Sequence, residues 1–527
     1  MLAFLSQMAV AMVTTAVQQS PTIDEPVYVG TAAVYLTEHS LRFNPEHPPL
    51  GKLIIAAGLA LTHPRLEPGF VGSQQALGRR LLYESGNDPG RLLLFARLPM
   101  IVLTLLFGLV VLAFARDLAG PVGGLVALAL YTFSPDVITH GSLATLDVPA
   151  AGFLLTAAWL LWRARRRPLP ELPLAGVALG AALATRMSAL PAVPVLLLLA
   201  VLSVWSARRV PDLDARGRWR LLGVGAAAAV GVGLVAVVVV WVSYLAVDPG
   251  LRWTPPPNLP GQGLRGLLVN LLPFPQPYRD GMLIQFRFED STFEGFLFGR
   301  LYRGSLWYYL PAALLVKTPL GMLALWVAGS AAMIAVPRLR PAAPYVLVPT
   351  TVLLAVALTG SRDYGTRYAI VVPVFLAVAA AAVVTLRWRW APVVAGVLVL
   401  FVAVSSVRTF PYYLPYSNEA FGGPSRTHRN LHDSNVDWGQ DLGRLADRLR
   451  ERYPGEKVWL LYKGSGVPSY YGIEASDPLR VPASEVRGLL VVSDSRIAKA
   501  DPRLAALLDS SEPIDEVGHS ITIFRRN

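Results

Sequence analysis

Residues 221–246, LLGVGAAAAVGVGLVAVVVVWVSYLA, form a continuous run without one charged side chain. A helix of about 20 apolar residues crosses the hydrocarbon core of a bilayer, so this run is long enough to span it. The whole chain of 527 residues is 54% hydrophobic and only 16% charged, whereas soluble proteins carry about 25% charged residues. The chain is therefore predicted to be an integral membrane protein.

Further apolar runs of similar length predict an α-helical polytopic protein with about 11 transmembrane helices. These segments lie near residues 2–18, 93–115, 120–140, 147–162, 171–186, 188–206, 221–246, 306–336, 342–360, 367–386 and 390–407. The first segment lacks the small-residue cleavage site of a signal peptide and is predicted to be retained as an anchor.

Arginines in the short connecting loops predict the orientation of the bundle. Most of them fall in alternate loops, which the positive-inside rule assigns to the cytoplasm. These loops contain Arg116, Arg163, Arg165, Arg166, Arg167, Arg208, Arg209, Arg216, Arg218, Arg220, Arg338, Arg340, Arg387 and Arg389, whereas the opposite short loops hold only Arg186, Arg362 and Arg367. We therefore expect a multi-pass protein of a bacterial cell membrane, with a cytoplasmic N-terminus and an extracytoplasmic C-terminus.

Three polar segments then lie outside, at residues 19–92, 247–305 and 408–527. The first two are expected to complete a transmembrane domain of residues 1–407, and the apolar run at 50–62 within them is too short to span. The third is predicted to be a small α/β domain, with a helix from Asp437 to Tyr453 and strands at 457–462, 488–493 and 520–525.

Composition narrows the chemistry. The chain has no cysteine, which excludes disulfides, thiolate metal sites and cysteine nucleophiles. The net charge of +12 does not indicate a nucleic-acid partner, because the excess arginines are spread over loops between apolar segments rather than gathered in one polar domain.

Two acidic motifs follow apolar segments on the predicted outer side. Asp24 and Glu25 come directly after the first helix, and Asp147 begins the sequence DVP after the third. A carboxylate at the membrane surface can act as a general base when its neighbours hold it in place. Each could equally be a helix cap taken alone, so their convergence on one outer surface is the stronger signal.

A proline-rich segment, NPEHPPLGK at residues 44–52, supplies further candidates. Glu46, His47 and Lys52 would face the same interfacial region just before an apolar helix. His and Lys can hold a phosphate, and Glu with His can also hold a divalent metal, although one Glu and one His are fewer ligands than metal sites usually have. No cofactor is required by the chemistry considered below.

Cations inside apolar segments are costly and are usually functional or reach the interface by snorkelling. Arg97 and Lys317 are such residues, and the outer pair Arg367-Tyr368 adds a cation near the expected phosphate. The segment DSNVD at 433–437 resembles the start of a calcium loop, but Trp438 stands where that loop needs glycine. A turn and helix cap are predicted there instead.

These motifs together resemble the GT-C glycosyltransferases of family 39, which include protein O-mannosyltransferases and the aminoarabinose transferases that modify lipid A. The resemblance rests on Asp24-Glu25, EHPPLGK (46–52), Arg97, Asp147-Val-Pro, FLFGRLYRGSLWYYLPAALLVKTPL (296–320), GTRYAIVVP (365–373) and YSNEAFGGP…DSNVDWGQDL (416–442). It covers nearly the whole chain up to about residue 475 and implies a GT-C-like fold.

The resemblance implies a polyprenyl-phosphate sugar as donor and transfer to an acceptor hydroxyl of a protein, lipid or glycan at the outer membrane face, with inversion. Asp24 would be the catalytic base, Glu25 would position it and Asp147 would support it. Lys52, Arg97 and Arg367 would neutralise the carrier phosphate. Membrane lipids would surround the bundle that binds the carrier tail. Some relatives have Lys in place of His47, which leaves the role of His47 open.

Two alternatives remain at this stage. A transporter or flippase for lipid-linked sugars would place polar groups near the bilayer midplane and often shows inverted repeats, whereas here the acidic motifs cluster at one surface. An oligosaccharide transferase or polymer ligase of similar architecture would differ in the size of the donor glycan.

Overall fold

The computed structural model describes residues 1–207, 215–256, 259 and 263–527. Arg208, Arg209 and Pro257 lie outside these residues, and so do the side chains of Arg216 and Arg218. Helices α1–α17 comprise Leu2–Gln18, Glu25–Thr37, Pro49–Leu59, Gln74–Arg79, Pro89–Thr132, Pro135–Gly141, Asp147–Ala164, Pro168–Thr185, Ala192–Ala207, Ala215–Leu245, Leu264–Asn270, Gln276–Glu289, Tyr309–Lys317, Leu320–Ala335, Ala343–Ala357, Val371–Ala380 and Ala391–Thr409.

All eleven apolar segments predicted as spans are largely helical. By length and composition, four helices among the described residues can cross a membrane, and the bent pair α13–α14 makes a fifth. Five further apolar helices of 10–17 residues are shorter. The polytopic helical class is thus confirmed, while the number of eleven crossings stays a prediction.

Two breaks explain why apolar runs and helices do not correspond one to one. The predicted segments 93–115 and 120–140 join in α5, where Gly120 adopts a left-handed φ of 75° that interrupts the helical geometry. In the predicted 306–336 run, the chain bends by 119° between α13 and α14. Pro319 forces Thr318 before it into an extended conformation, which ends α13.

Small residues let neighbouring helices approach closely. Helix α8 packs on α10 through Gly176 and Gly180. A Cβ added at Gly176 would lie 2.8 Å from the Val232 carbonyl oxygen, and one added at Gly180 would lie 2.7 Å from the Ala236 carbonyl oxygen. Close helix packing of this kind stabilises bundles in a bilayer, where burial from water contributes little between helices. The arrangement fixes α8, and with it the residue that follows the helix, Arg186.

The polar segments that were predicted to lie outside pack on one end of the bundle. Helix α3, which corresponds to the short apolar run predicted not to span, packs against α2, α5 and α8. A two-stranded antiparallel hairpin follows α12 and comprises β1 (Glu294–Leu297) and β2 (Arg300–Arg303).

The C-terminal segment forms a five-stranded sheet in the order β4-β3-β5-β7-β6. The strands are β3 Val458–Leu461, β4 Ala475–Ser476, β5 Gly488–Ser493, β6 Glu512–Val517 and β7 Ile521–Arg526, and the helices α18 Leu442–Arg452, α19 Asp494–Ala498 and α20 Pro502–Asp509. Strands β4, β3 and β5 are parallel, whereas β5, β7 and β6 are antiparallel.

All three strands predicted from the alternating pattern are present. The predicted helix from Asp437 to Tyr453 instead begins at Leu442, because residues before it form a turn with Gly439 at a φ of 89°. That turn lies against the transmembrane bundle and belongs to the site described next.

Candidate active site

Asp24 lies at the start of α2 and forms an ion pair with Arg367. A guanidinium nitrogen of Arg367 lies 2.5 Å from the Asp24 carboxylate. The Asp24 side chain is 29% exposed, so a ligand can still reach it. The guanidinium lies 4.4 Å from the ring centroid of Trp438 and 5.0 Å from that of Tyr368. Two aromatic rings therefore hold the cation beside the carboxylate.

Asp147 forms a second ion pair, with Arg186. Asp147 is the first residue of α7, and Arg186 follows α8 in an extended conformation. The Arg186 guanidinium lies 5.8 Å from the Tyr368 ring, the same ring that contacts Arg367. The structure thus brings the two predicted carboxylates into one cluster.

A third arginine completes this cluster. Arg362 donates hydrogen bonds to Gln285 at 3.2 Å and Glu289 at 3.0 Å, both on α12. Its guanidinium also lies 5.9 Å from the ring of Tyr368. We call Arg186, Arg362 and Arg367 the arginine cluster. Each of the three arginines pairs with a carboxylate, so the cluster gathers three ion pairs around one tyrosine.

Tyr28 and His47 lie beside the arginine cluster, with their ring centroids 5.7 Å apart. Burial lowers the pKa of His47 well below its usual value, and the nearby cations lower it further, so the imidazole is neutral at neutral pH. Burial raises the pKa of Tyr28, and Asp24 adds to that effect. Both groups are thus uncharged hydrogen-bonding side chains next to charged ones.

Several nitrogens at this place lack a protein partner. Among the described residues, Nδ1 of His47 and Nε of Arg362 and Arg367 are buried and make no hydrogen bond. Buried polar atoms are almost always hydrogen-bonded in folded proteins. Three such atoms on neighbouring residues leave hydrogen-bonding capacity for water or a ligand at this place.

Arg97 serves another purpose than the sequence suggested, and it does so by binding Glu25. Both side chains are fully buried and form a two-pronged pair at 2.7 and 2.6 Å. The remaining guanidinium N–H groups donate to the backbone carbonyls of Ala16, Gln19 and Ser20. All five N–H groups of Arg97 are therefore in use, so the expected contact with a carrier phosphate does not agree with this geometry.

Glu25 is held just as completely. It accepts from the backbone N–H and hydroxyl of Thr22 and from the backbone N–H of Ala144, each at 2.9 Å. Burial raises the pKa of Glu25, but Arg97 and these hydrogen bonds outweigh it, and the net pKa is lowered. Glu25 is thus an ionised anchor for the loop that carries Asp24.

Lys52 also has a structural role in place of the expected phosphate contact. Its ammonium donates to the Asn44 carbonyl at 2.8 Å, the Asn44 side chain at 3.2 Å and the His47 carbonyl at 2.7 Å. All three N–H groups are engaged, and burial lowers the pKa of Lys52 to about 7. Lys52 thus closes the turn of residues 44–47, which we call the NPEH turn, and orients His47.

Lys317 and Glu46 contact protein groups as well. Lys317 is buried and donates to the backbone carbonyls of Leu414 and Asn435, so it joins the bundle to the C-terminal segment rather than reaching the interface. Glu46 accepts from Gln74 at 2.7 Å.

In the part of the chain that the structure describes, no group of three or more His, Asp or Glu side chains could hold a metal ion.

Sequence reasoning missed four residues of the site as candidates. Arg186 and Arg362 were noted only as the few arginines of the loops predicted to lie outside. Tyr28 was not considered, and Trp438 was discussed only as a reason against a calcium loop. The scarcity itself was the available signal, because a cation that the positive-inside rule disfavours on the outer side needs another reason to be there.

Comparison with known proteins agrees with this architecture. Residues 90–241 match the family model described as dolichyl-phosphate-mannose-protein mannosyltransferase. This segment includes Arg97, Asp147 and Arg186 but not Asp24. No curated protein shows a significant match to the chain.

One solved structure that aligns over nearly the whole chain has the same fold. ArnT from Cupriavidus metallidurans bound to undecaprenyl phosphate has a TM-score of 0.50 at 14% identity, over 99% of this chain and 97% of that chain. The protein O-mannosyltransferase Pmt1-Pmt2 complex of S. cerevisiae bound to the sugar donor aligns over 46% of this chain and 34% of that chain, with a TM-score of 0.35 and 17% identity. Residues 90–241 are thus similar to a mannosyltransferase family, and the chain as a whole has the fold of ArnT.

Proposed function

We propose that this chain transfers a sugar from a polyprenyl-phosphate carrier to an acceptor hydroxyl at the outer membrane face, with inversion. The observation that carries the proposal is the convergence of Asp24 and Asp147 on the arginine cluster around Tyr368. ArnT, which has the same fold, binds undecaprenyl phosphate. This supports a lipid-linked donor for the present chain.

In the proposed reaction, Asp24 accepts the proton of the acceptor hydroxyl. The hydroxyl oxygen then forms a bond to the anomeric carbon while the bond from that carbon to the phosphate oxygen breaks. The bonding electrons leave with the polyprenyl phosphate, and attack from the opposite side inverts the anomeric centre. Asp24 is suited to this role because it is the more exposed carboxylate of the two ion pairs.

The arginine cluster would stabilise the departing phosphate. Fixed cations in a site sheltered from water stabilise developing negative charge without reorganising during the reaction. Arg362 and Arg367 each have a buried Nε–H free of protein acceptors, and His47 lies beside them. In this scheme Asp147 holds Arg186 in place, whereas Glu25 and Arg97 fix the loop of Asp24 and Lys52 fixes the turn of His47.

The direction in which the site faces follows from the arginine-rich loops. Helices α7 and α16 begin beside the site, at Asp147 and just after Arg367, and run toward Arg163–Arg167 and Arg387–Arg389 at their far ends. With those loops in the cytoplasm, the site opens to the outside. A tag at the C-terminus should then be accessible in intact spheroplasts, and labelling only after lysis would contradict the orientation.

The experiment that tests the reaction is in vitro transfer by the purified chain from a panel of polyprenyl-phosphate sugars. Single-sugar and oligosaccharide carriers are compared, and release of polyprenyl phosphate is followed together with product. We expect turnover with at least one single-sugar carrier, and no turnover in Asp24→Asn at equal yield of folded protein. Equal turnover by Asp24→Asn would exclude Asp24 as the base, and turnover with oligosaccharide carriers alone would favour a ligase.

A further inference from the structure

The C-terminal segment 433–440, with sequence DSNVDWGQ, contacts the Arg367 side chain and the residue before Asp24. We call it the DWGQ turn. The Trp438 side chain is 1% exposed, and its ring faces the Arg367 guanidinium at 4.4 Å. An arginine stacked on a buried indole is stabilised by cation–π attraction. The ring therefore restricts where the guanidinium can lie.

The same turn fastens the backbone next to each partner. The N–H of Ile23, one residue before Asp24, donates to the Trp438 carbonyl at 3.0 Å. The N–H of Thr366, one residue before Arg367, donates to the Asn435 side-chain oxygen at 3.1 Å. One short segment thus sets the backbone positions of both the carboxylate and the cation.

Further contacts hold the turn itself. Ser20 donates from its N–H to the Gln440 carbonyl at 3.0 Å and from its hydroxyl to the Gly439 carbonyl at 2.9 Å. The Tyr462 hydroxyl, which follows β3 of the C-terminal sheet, donates to the same Gly439 carbonyl at 2.6 Å. Lys317 holds the Asn435 carbonyl from the membrane side. The turn is therefore clamped between the C-terminal sheet and the bundle.

We propose that the DWGQ turn makes the C-terminal domain part of the catalytic apparatus, with Trp438 as the positioning residue that keeps Arg367 against Asp24. This rests on the proposed function, because it assigns the turn a task in the same reaction. It gives the C-terminal domain, for which the sequence suggested no role, a defined one: docking of the domain assembles the base and its cation.

The test compares Trp438→Leu with Trp438→Phe in the full-length protein. Loss of the ring face is expected to lower kcat by about tenfold, the effect of one desolvated cation–π contact of about 1.4 kcal/mol. Trp438→Phe keeps a ring face and should retain most of the rate. The matched control is Trp459→Leu, which removes another buried indole of the same domain that packs only within that domain. All rates are normalised to folded protein.

A double variant separates positioning from mere stability. If Trp438 acts through the planar guanidinium, Arg367→Lys already forfeits the stacking. Adding Trp438→Leu to Arg367→Lys should then lower kcat little further, so the fold losses in kcat of the two single variants should not multiply in the double variant. Multiplying losses, or a loss in Trp459→Leu equal to that in Trp438→Leu, would overturn the inference.

The outcome also separates this inference from the proposed function. If Asp24→Asn is inactive but Trp438→Leu has the kcat of the wild type, the reaction stands and the role of the turn is refuted. If Asp24→Asn transfers normally, Asp24 is not the base, and both the proposed reaction and the task assigned to Trp438 are refuted.

Discussion

Replacement of Arg97 by methionine should destabilise the protein strongly without direct involvement in catalysis. Methionine keeps much of the side-chain volume but removes five hydrogen bonds. It also leaves the fully buried carboxylate of Glu25 without its counter-charge. Removing one partner of a buried ion pair costs about 3–5 kcal/mol. We expect a loss of that size in the free energy of unfolding for Arg97→Met.

The assay is reversible unfolding in detergent micelles, and the control is Arg91→Met on the same helix. Arg91 is exposed, and among the described residues its side chain makes only a distant contact, with the Phe95 ring at 5.9 Å. Surface replacements of this kind usually change stability by about 0.5 kcal/mol or less. A free energy of unfolding for Arg97→Met equal to that of Arg91→Met would refute the structural role.

A double-mutant cycle makes the argument specific to the pair. Glu25→Gln combined with Arg97→Met leaves no unpaired charge in the interior, so the double variant should be more stable than the sum of the single losses allows. Strictly additive losses would mean that the two residues act independently, against the geometry.

The other predictions concern the phosphate site, the NPEH turn and the C-terminal domain. Arg362→Gln should raise the KM for the donor about tenfold, as expected for one charged contact, while the exposed control Arg265→Gln leaves it unchanged; equal KM values would remove Arg362 from the donor site. Lys52→Met should lower the thermal midpoint of unfolding, because three buried acceptors of residues 44 and 47 lose their donor; an unchanged midpoint would refute the structural role of Lys52. Burial raises the pKa of Asp437 and Asp494 to about 7, from 3.8 when unfolded. The folded state then binds more protons between these values, so stability should fall as pH rises through that window, and Asp437→Asn should flatten this slope in unfolding experiments.

The sequence predicted the helical segments well because each is a run of apolar residues that only a helix can place in a bilayer. It also predicted the three main strands of the C-terminal sheet from their β-branched, buried pattern. It could not predict the breaks at Gly120 and Pro319, because apolar composition alone does not record where a helix bends. It could not fix the start of α18 either, since the preceding turn is shaped by contacts with the bundle.

The candidate site was predicted in part. Asp24, Asp147, Arg367 and Tyr368 do gather, and their common placement at one end of the bundle was predictable from the order of the helices. The roles of Arg97 and Lys317 were not visible, because their acceptors are mainly backbone carbonyls distant in sequence, such as those of Ala16 and Asn435. A carbonyl leaves no trace in residue identity, so a buried cation looks the same whether it binds a ligand or the chain itself.

The most direct measurement of the central claim is donor binding and transfer by Asp24→Asn in one preparation. A radiolabelled polyprenyl-phosphate sugar, chosen from the active members of the panel, is bound to wild type and variant, and acceptor is then added for a single turnover. The account predicts that the variant retains the donor with nearly the affinity of the wild type and forms no product. Product formed at the wild-type rate from the bound donor would contradict it.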